Sequence, residues 1–449
     1  MQNLRLLTTL ALPLLILACA APEALPSPEP SAEASPAPTH TASTPAITPT
    51  PIPVPIETAS APAPPPSPSP AAPAPTTRAE PTPDADGWIG PDRISTRNYG
   101  ELSLAIDDEG IAHAAAELGD GIFYLTNASG SWTRERLSRA PSGGDDQYPS
   151  IAIDDDGSLW IAFTRWAIWE PCIDVCVRPE RFQNDGIYYL TYAGVGWPQP
   201  RLALADAVMG SMVVRDGHVH LAYYEASRED AIRYATGSSG EWQSRQVAAS
   251  ASSYAMQFAP DGVAVFIVAS DNEGLAYVTG NIDSGFADEQ TVPCLGDQFE
   301  LALDDLGTPH VVTADRTIVL CVKGGDGGWS GPHEVSGDEL APGRDGSLWS
   351  TPTGASVDGF GALHVIYLVI SGLGDDEYFL WEDLWYASNT GGSFESHHLS
   401  RGLGSDFGPP GSSALALDRR GRPHVLFTAA SVDSDEELVG LWYAIGPGH

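Results

Sequence analysis

From residue 102 onward, apolar and polar positions alternate with period two in short runs, and most runs stop at an Asp or a Gly. Such alternation predicts β-strands, because successive side chains of a strand point to opposite sides and only one side faces a core. The runs fall into one recurring phrase. It reads S-x-A-h-D-x-x-G-x-x-H-h-h-Y, then a variable stretch, then G-h-x-Y, a short turn and G-x-W, where h is apolar. Copies begin at "SLAIDDEGIAHAAA" (103–116), "SIAIDDDGSLWIAF" (150–163), "SMVVRDGHVHLAYY" (211–224), "AMQFAPDGVAVFIV" (255–268), "ELALDDLGTPHVVT" (300–313), "GASVDGFGALHVIY" (354–367) and "SALALDRRGRPHVLFT" (413–428). Each copy supplies four strands, A to D. The turn glycines come as close as Gly262 and Gly307, a spacing that fits one blade of a propeller.

The seventh copy ends at "LWYAIGPGH" (441–449), without a D strand. The missing strand has a counterpart at the other end of the domain. "GWIGPDRIS" (87–95) nearly repeats "GWSGPHEVS" (328–336), the D strand of copy five, yet no A, B or C strand precedes it. The expected fold is therefore an all-β, seven-bladed β-propeller over residues 87–449, its last blade closed by the N-terminal strand. Closure removes an exposed sheet edge, which would otherwise invite aggregation. Trp88 and Ile94 are expected to pack like Trp329 and Val335.

What recurs in every blade reads as scaffold. His113, His220, His310, His364 and His424 hold one repeat position, which Trp160 and Val265 fill in the other two copies. A position that accepts Trp or Val serves packing rather than chemistry. Asp107, Asp154, Asp304, Asp358 and Asp418 precede the turn glycines, where an Asp side chain can accept backbone N–H groups two residues on. Trp88, Trp132, Trp197, Trp242 and Trp329 are expected to cover the outer seams between blades.

These copies resemble the sialidase-like, or BNR, class of bacterial β-propellers. The turns "GGDGGW" (324–329) and "ASGSW" (128–132) resemble loose versions of that family's Asp-box. The resemblance implies a propeller and, in the catalytic members, a glycoside hydrolase with an arginine triad. The family's Phe/Tyr-Arg-Ile-Pro opening is replaced here by "DRIST" (92–96).

The N-terminus changes the picture of where the domain works. Arg5, the apolar run Leu6–Leu17 and "ILAC" (16–19), which resembles a lipobox, read as a bacterial lipoprotein signal over residues 1–19, with Cys19 the expected lipidation site and an ordinary cleaved signal peptide the alternative. Residues 20–86 are Pro-, Ala-, Ser- and Thr-rich and contain too few large apolar side chains to form a core, so they read as a disordered stalk. The expected location is the cell surface after export, with membrane contact through the lipid anchor only. Export also makes disulfides plausible among Cys172, Cys176, Cys294 and Cys321. A net charge of −37 with a single lysine, Lys323, excludes nucleic acid as a partner. No cofactor is expected. The acidic loops offer oxygen ligands for Ca²⁺, but none has the spacing of a calcium loop.

Function is sought where the repeats differ. The A–B and C–D turns stay short, whereas the long insertions are all B–C or D–A connections, which leave the blades at one end. Functional residues concentrate on loops carried by a rigid scaffold. The candidate ligand-binding residues on that face are Trp166, Trp169, Trp349, Tyr378 and Trp381, with Arg165, Arg228, Arg316, Arg344 and Arg401. Aromatic rings there suit stacking on sugars or anchoring a protein, and arginines suit clamping a carboxylate. The expected function is non-catalytic binding of an extracellular glycan or protein by a monomer. The alternatives are a sialidase-like exo-glycosidase using the arginines, and a scaffold in a surface assembly.

Overall fold

The computed structural model describes residues 83–448 except 98, 120, 142–143, 169–181, 193, 195, 227, 239, 271–273, 288–289, 297, 316, 337–347, 373–379, 401–406, 409–411 and 432–438. Among the described residues the secondary structure is all strand, grouped into seven sheets. Each sheet is an antiparallel meander from an innermost A strand to an outermost D strand. In blade one these are Leu102–Ile106, Ala112–Leu118, Gly121–Thr126 and Thr133–Arg136. The seven A strands contact one another in sequence order, and that of blade seven (Ser413–Leu417) contacts that of blade one. The protein is a closed seven-bladed β-propeller.

The last blade is completed from the front of the chain. Strand Ile89–Ser95 pairs with Gly440–Ile445, placing Ile89 opposite Ile445, Asp92 opposite Tyr443 and Arg93 opposite Trp442. Blade five pairs Ser330 with Val322, His333 with Leu320 and Glu334 with Val319. The three pairs correspond one to one, and both strands carry an irregularity where Pro91 and Pro332 fall. The same phrase therefore forms the same strand, whether it follows strand C along the chain or arrives from the other terminus. Ile94 packs with Leu441, Tyr443 and Leu102, and Val335 is buried in its own cluster.

The tryptophans sit on the seams as expected, with a consistent partner. The D-strand ring of one blade meets the C-strand tyrosine of the preceding blade edge to face. The pairs are Trp88–Tyr386 (4.9 Å), Trp132–Tyr443 (4.9 Å), Trp197–Tyr124 (5.1 Å), Trp242–Tyr189 (5.7 Å) and Trp329–Tyr277 (5.8 Å). Phe286 takes the role in blade four, against Tyr234. Aromatic pairs prefer this geometry because a ring's positive edge meets a negative face.

Four of the five recurrent histidines are polar bridges within their blades, so packing was only half of their role. His113, His220 and His364 each place Nδ1 2.6 Å from the hydroxyl of a C-strand tyrosine, Tyr124, Tyr234 and Tyr386 respectively; His424 does so to Tyr443 at 2.5 Å. On the other side of the ring, Nε2 of His113 and of His364 lies 3.1 Å and 3.2 Å from the turn aspartates Asp107 and Asp358. The second oxygen of each aspartate accepts the turn's backbone N–H groups, as Asp107 does from Glu109 and Ile111. In blade two Trp160 replaces the histidine and stacks on Tyr189, and Asp154 turns instead toward the backbone N–H of Gly217 in blade three. In blade five Leu320 replaces the tyrosine, and His310 Nδ1 is buried with no hydrogen-bond partner. A disulfide joins Cys294 to Cys321 in that same blade.

Candidate functional site

Because each blade is an antiparallel meander, the B–C and D–A connections leave together at one end of the sheets. At the other end the A–B turns repeat one design, with the glycine N–H bonded to the carbonyl three residues back at Gly110, Gly157, Gly307, Gly361 and Gly421. The described part of the loop-bearing end is most developed between blades one and two.

Arg165 stands in the second half of the B strand of blade two, Leu159–Ile168, directly across from Asp146 on the A strand. Its Nε and Nη2 donate to the two oxygens of Asp146 at 2.7 and 2.9 Å, a paired contact that fixes the plane of the guanidinium. The guanidinium also lies over Tyr188, 4.5 Å from the ring centre, and Tyr188 donates its hydroxyl to Asp185. Burial works against the charge on Arg165, but the fully buried Asp146 carboxylate outweighs it and holds the guanidinium pKa above its ordinary value. Arg165 then borders a groove of about 380 Å³ that Arg136, Arg139, Ser138, Gln199 and Pro200 also line. Three arginines thus share one groove in a chain with a net charge of −37.

A second feature lies beside it, at the starts of the A strands of blades one and two. Glu101 precedes the first of these strands, Glu117 ends the neighbouring B strand, and Asp145 opens the second. Burial, aided by the Asp145 and Glu101 carboxylates, pushes the Glu117 carboxyl up to about 7. Burial raises that of Glu101 as well, against the Ser412 hydroxyl that donates to it. Tyr148 completes the group. It is 42% exposed, and its φ of +53° is in the left-handed region that a bulky residue seldom occupies. Strain of that kind is found at functional positions because the surrounding structure must hold it there. Burial and the Glu101 and Glu117 charges also raise the Tyr148 hydroxyl pKa.

Of the residues expected from the sequence, Arg165 and Trp166 fall in this region. Trp166 lies opposite Asp145, and its indole N–H is buried with no acceptor among the described residues. Arg228, Trp349 and Trp381 lie on strands, Trp349 opposite Ile370 and Trp381 opposite Ser371, but their side chains lie outside the described residues. Trp169, Tyr378, Arg316, Arg344 and Arg401 lie outside the described residues altogether, as do Cys19, Cys172 and Cys176. Arg136, Arg139 and Tyr148 were missed. The two arginines flank the end of a D strand, where the phrase places no recurring polar residue, and nothing in the string "DQYPS" marks a positive φ at Tyr148.

No known family's sequence profile matches the chain, and no curated protein is similar to it in sequence. Solved structures of similar shape do exist. A protein of unknown function from Dyadobacter fermentans is 13% identical, with TM-score 0.46, over 80% of this chain and 96% of its own. A lectin from Burkholderia pseudomallei is 11% identical, with TM-score 0.48, over 79% and 98%. A polysaccharide lyase described as an ulvan lyase is 11% identical, with TM-score 0.48, over 78% and 94%. Likeness at that level says nothing about ligand or chemistry.

Proposed function

We propose that this protein is an exported, lipid-anchored receptor whose propeller binds an extracellular glycan at its loop-bearing end without turning it over. The observation that carries the reading is the groove in which Arg136, Arg139 and Arg165 gather at the end that holds every long connection, while the opposite end repeats one turn design. Arg165 is clamped by Asp146 and backed by Tyr188, which gives a rigid cationic wall rather than a mobile one. Residues 1–19 and 20–86 fit a lipoprotein signal and a stalk, with Cys19 as the anchor. A glycan array probed with the full mature chain tests the proposal. Retention of a defined glycan set, lost in an Arg136→Ala/Arg139→Ala double variant, is the expected result; uniform silence overturns it.

One observation favours a second reading, a glycosidase of the sialidase-like kind. Glu117, with a carboxyl near pH 7, stands in the same group as Tyr148, and an acid that holds its proton at neutral pH is a ready general acid. Release of fluorophore from a fluorogenic sialoside, abolished by Glu117→Gln, would decide for it.

A further inference from the structure

Residues 84–88, "DADGW", come just before the closing strand and form a turn of the same design as the A–B turns. Asp84 N donates to Trp88 O at 2.7 Å, and Gly87 N donates to Asp84 O. Asp84 Oδ1 accepts from the backbone N–H groups of Asp86 (3.0 Å) and Trp88 (2.8 Å). The turn is therefore set before any ligand arrives. It faces the D strand of blade six, Glu395–His398, across a groove of about 600 Å³ that Trp385, Ser396, Gly90 and Pro91 also line.

His397 reaches the turn from the far wall of that groove. Its imidazole stacks on the Trp88 indole at 5.0 Å and 8° between planes, which fixes the ring's orientation. Trp88 is itself only 3% exposed. His397 Nδ1 stands 3.4 Å from Asp86 Oδ2. One ligand atom each from Asp84, Asp86 and His397 lies within 4.8 Å of the other two. The adjacent His398 faces other groups, with Nε2 at 3.0 Å from Asp383 and 2.9 Å from Ser400, and its ring stacked on Trp385.

We propose that Asp84, Asp86 and His397 form a site for a divalent first-row metal ion of the Zn²⁺ class, which fastens the start of the closing strand to blade six. One imidazole nitrogen and two carboxylate oxygens are donors suited to Zn²⁺, whereas Mg²⁺ prefers an all-oxygen set. A cation between Asp84 and Asp86 relieves the repulsion of two neighbouring carboxylates. The surrounding charge of −37 raises the local concentration of cations. Three protein ligands would leave the fourth position of a tetrahedral ion to water. An ion held only by the folded state shifts the folding equilibrium toward that state, and here it would act on the ring's one seam that is not continuous along the chain.

Calorimetric titration of the full mature chain with Zn²⁺, after chelation and desalting, tests this. His397→Phe keeps an aromatic ring against Trp88 while removing the ligand, and Asp86→Asn keeps the side-chain shape. The expected result is one Zn²⁺ bound, at least about tenfold weaker in either variant, with a Zn²⁺-dependent rise in Tm that both variants lose and that Mg²⁺ does not reproduce. Equal affinity and stoichiometry in His397→Phe, no detectable binding of Zn²⁺, or an equal Tm rise with Mg²⁺ would each overturn it. Circular dichroism of the metal-free variants separates a lost ligand from a lost fold.

Discussion

The D strands of blades five and seven lie in stretches that share five of nine residues, yet the two blades are held together by different means. In blade five the D strand follows strand C through a short turn, and a disulfide ties Cys321 on strand C to Cys294 in the connection before strand A. In blade seven the D strand comes from the other end of the chain and joins strand C by backbone pairing across that break in continuity. Blade seven compensates through burial. Trp88 lies in a cluster with Tyr386, Leu399, Val425 and Phe427, and His424 and Tyr443 complete the internal bridge that blade five lacks.

The largest expected effect is that of removing residues 1–95. Blade seven would then expose strand Gly440–Ile445 as an unpaired edge, and the expected product is aggregated or lacks near-ultraviolet circular dichroism. Next in size, Trp88→Ala should cost about 3–5 kcal/mol in urea unfolding, the range for emptying a buried large aromatic site. Trp329→Ala should cost less, because that ring is only partly buried. Third, Cys294→Ser/Cys321→Ser, or reduction, should cost about 2–4 kcal/mol, and the loss should fall in blade five without opening the ring, as read by amide exchange.

Two smaller changes sharpen the contrast. Glu300 sits half-buried on the innermost strand of blade five, where blade seven has Ala414, and burial pushes its carboxyl up to about 7. The folded state therefore holds a proton between pH 4.5 and 7 that the unfolded state releases. The stability tied to that proton is full below pH 4.5 and is lost as pH rises through 7. Glu300→Gln should raise Tm at pH 8 and leave it nearly unchanged at pH 4.5. His424 in blade seven works in the opposite sense. Burial lowers its pKa to about 4, so stability falls as pH drops from about 6.5 toward 4. The smallest expected effect is that of Leu320→Tyr, which supplies His310 Nδ1 with the hydroxyl that its counterparts have. It should stabilise by about 1 kcal/mol, the net worth of one hydrogen bond.

Much of this architecture was legible in residues 87–446, because a period-two pattern repeated seven times leaves few other ways to bury its apolar faces. Closure by Ile89–Ser95 was legible too, since one phrase occurred both where a strand was expected and where it had no neighbours. The histidine–tyrosine bridges were present in the phrase, which carries both residues at constant positions, but their pairing depends on the stagger between strands B and C. The candidate site was far less legible. Arg136 and Arg139 come from blade one and Arg165 from blade two, so their meeting depends on how the two blades sit side by side, and the conformation of Tyr148 accompanies a local irregularity between Gln147 and Ser150. The turn at Asp84 carries the same Asp-x-x-Gly spacing as the A–B turns, but it lies three residues before the repeat phrase begins.

The pairing of Ile89 with Ile445 also orders events in time. The first strand of the domain to be synthesised cannot find its place until the last strand exists. The ring is finished only when strand Gly440–Ile445 is present, so the nascent protein stays open while the strands before it are made. A contact of such long sequence separation slows folding, because chain entropy must be surrendered before the contact rewards it. The seam that makes the circle thus also delays its completion until the whole polypeptide is present.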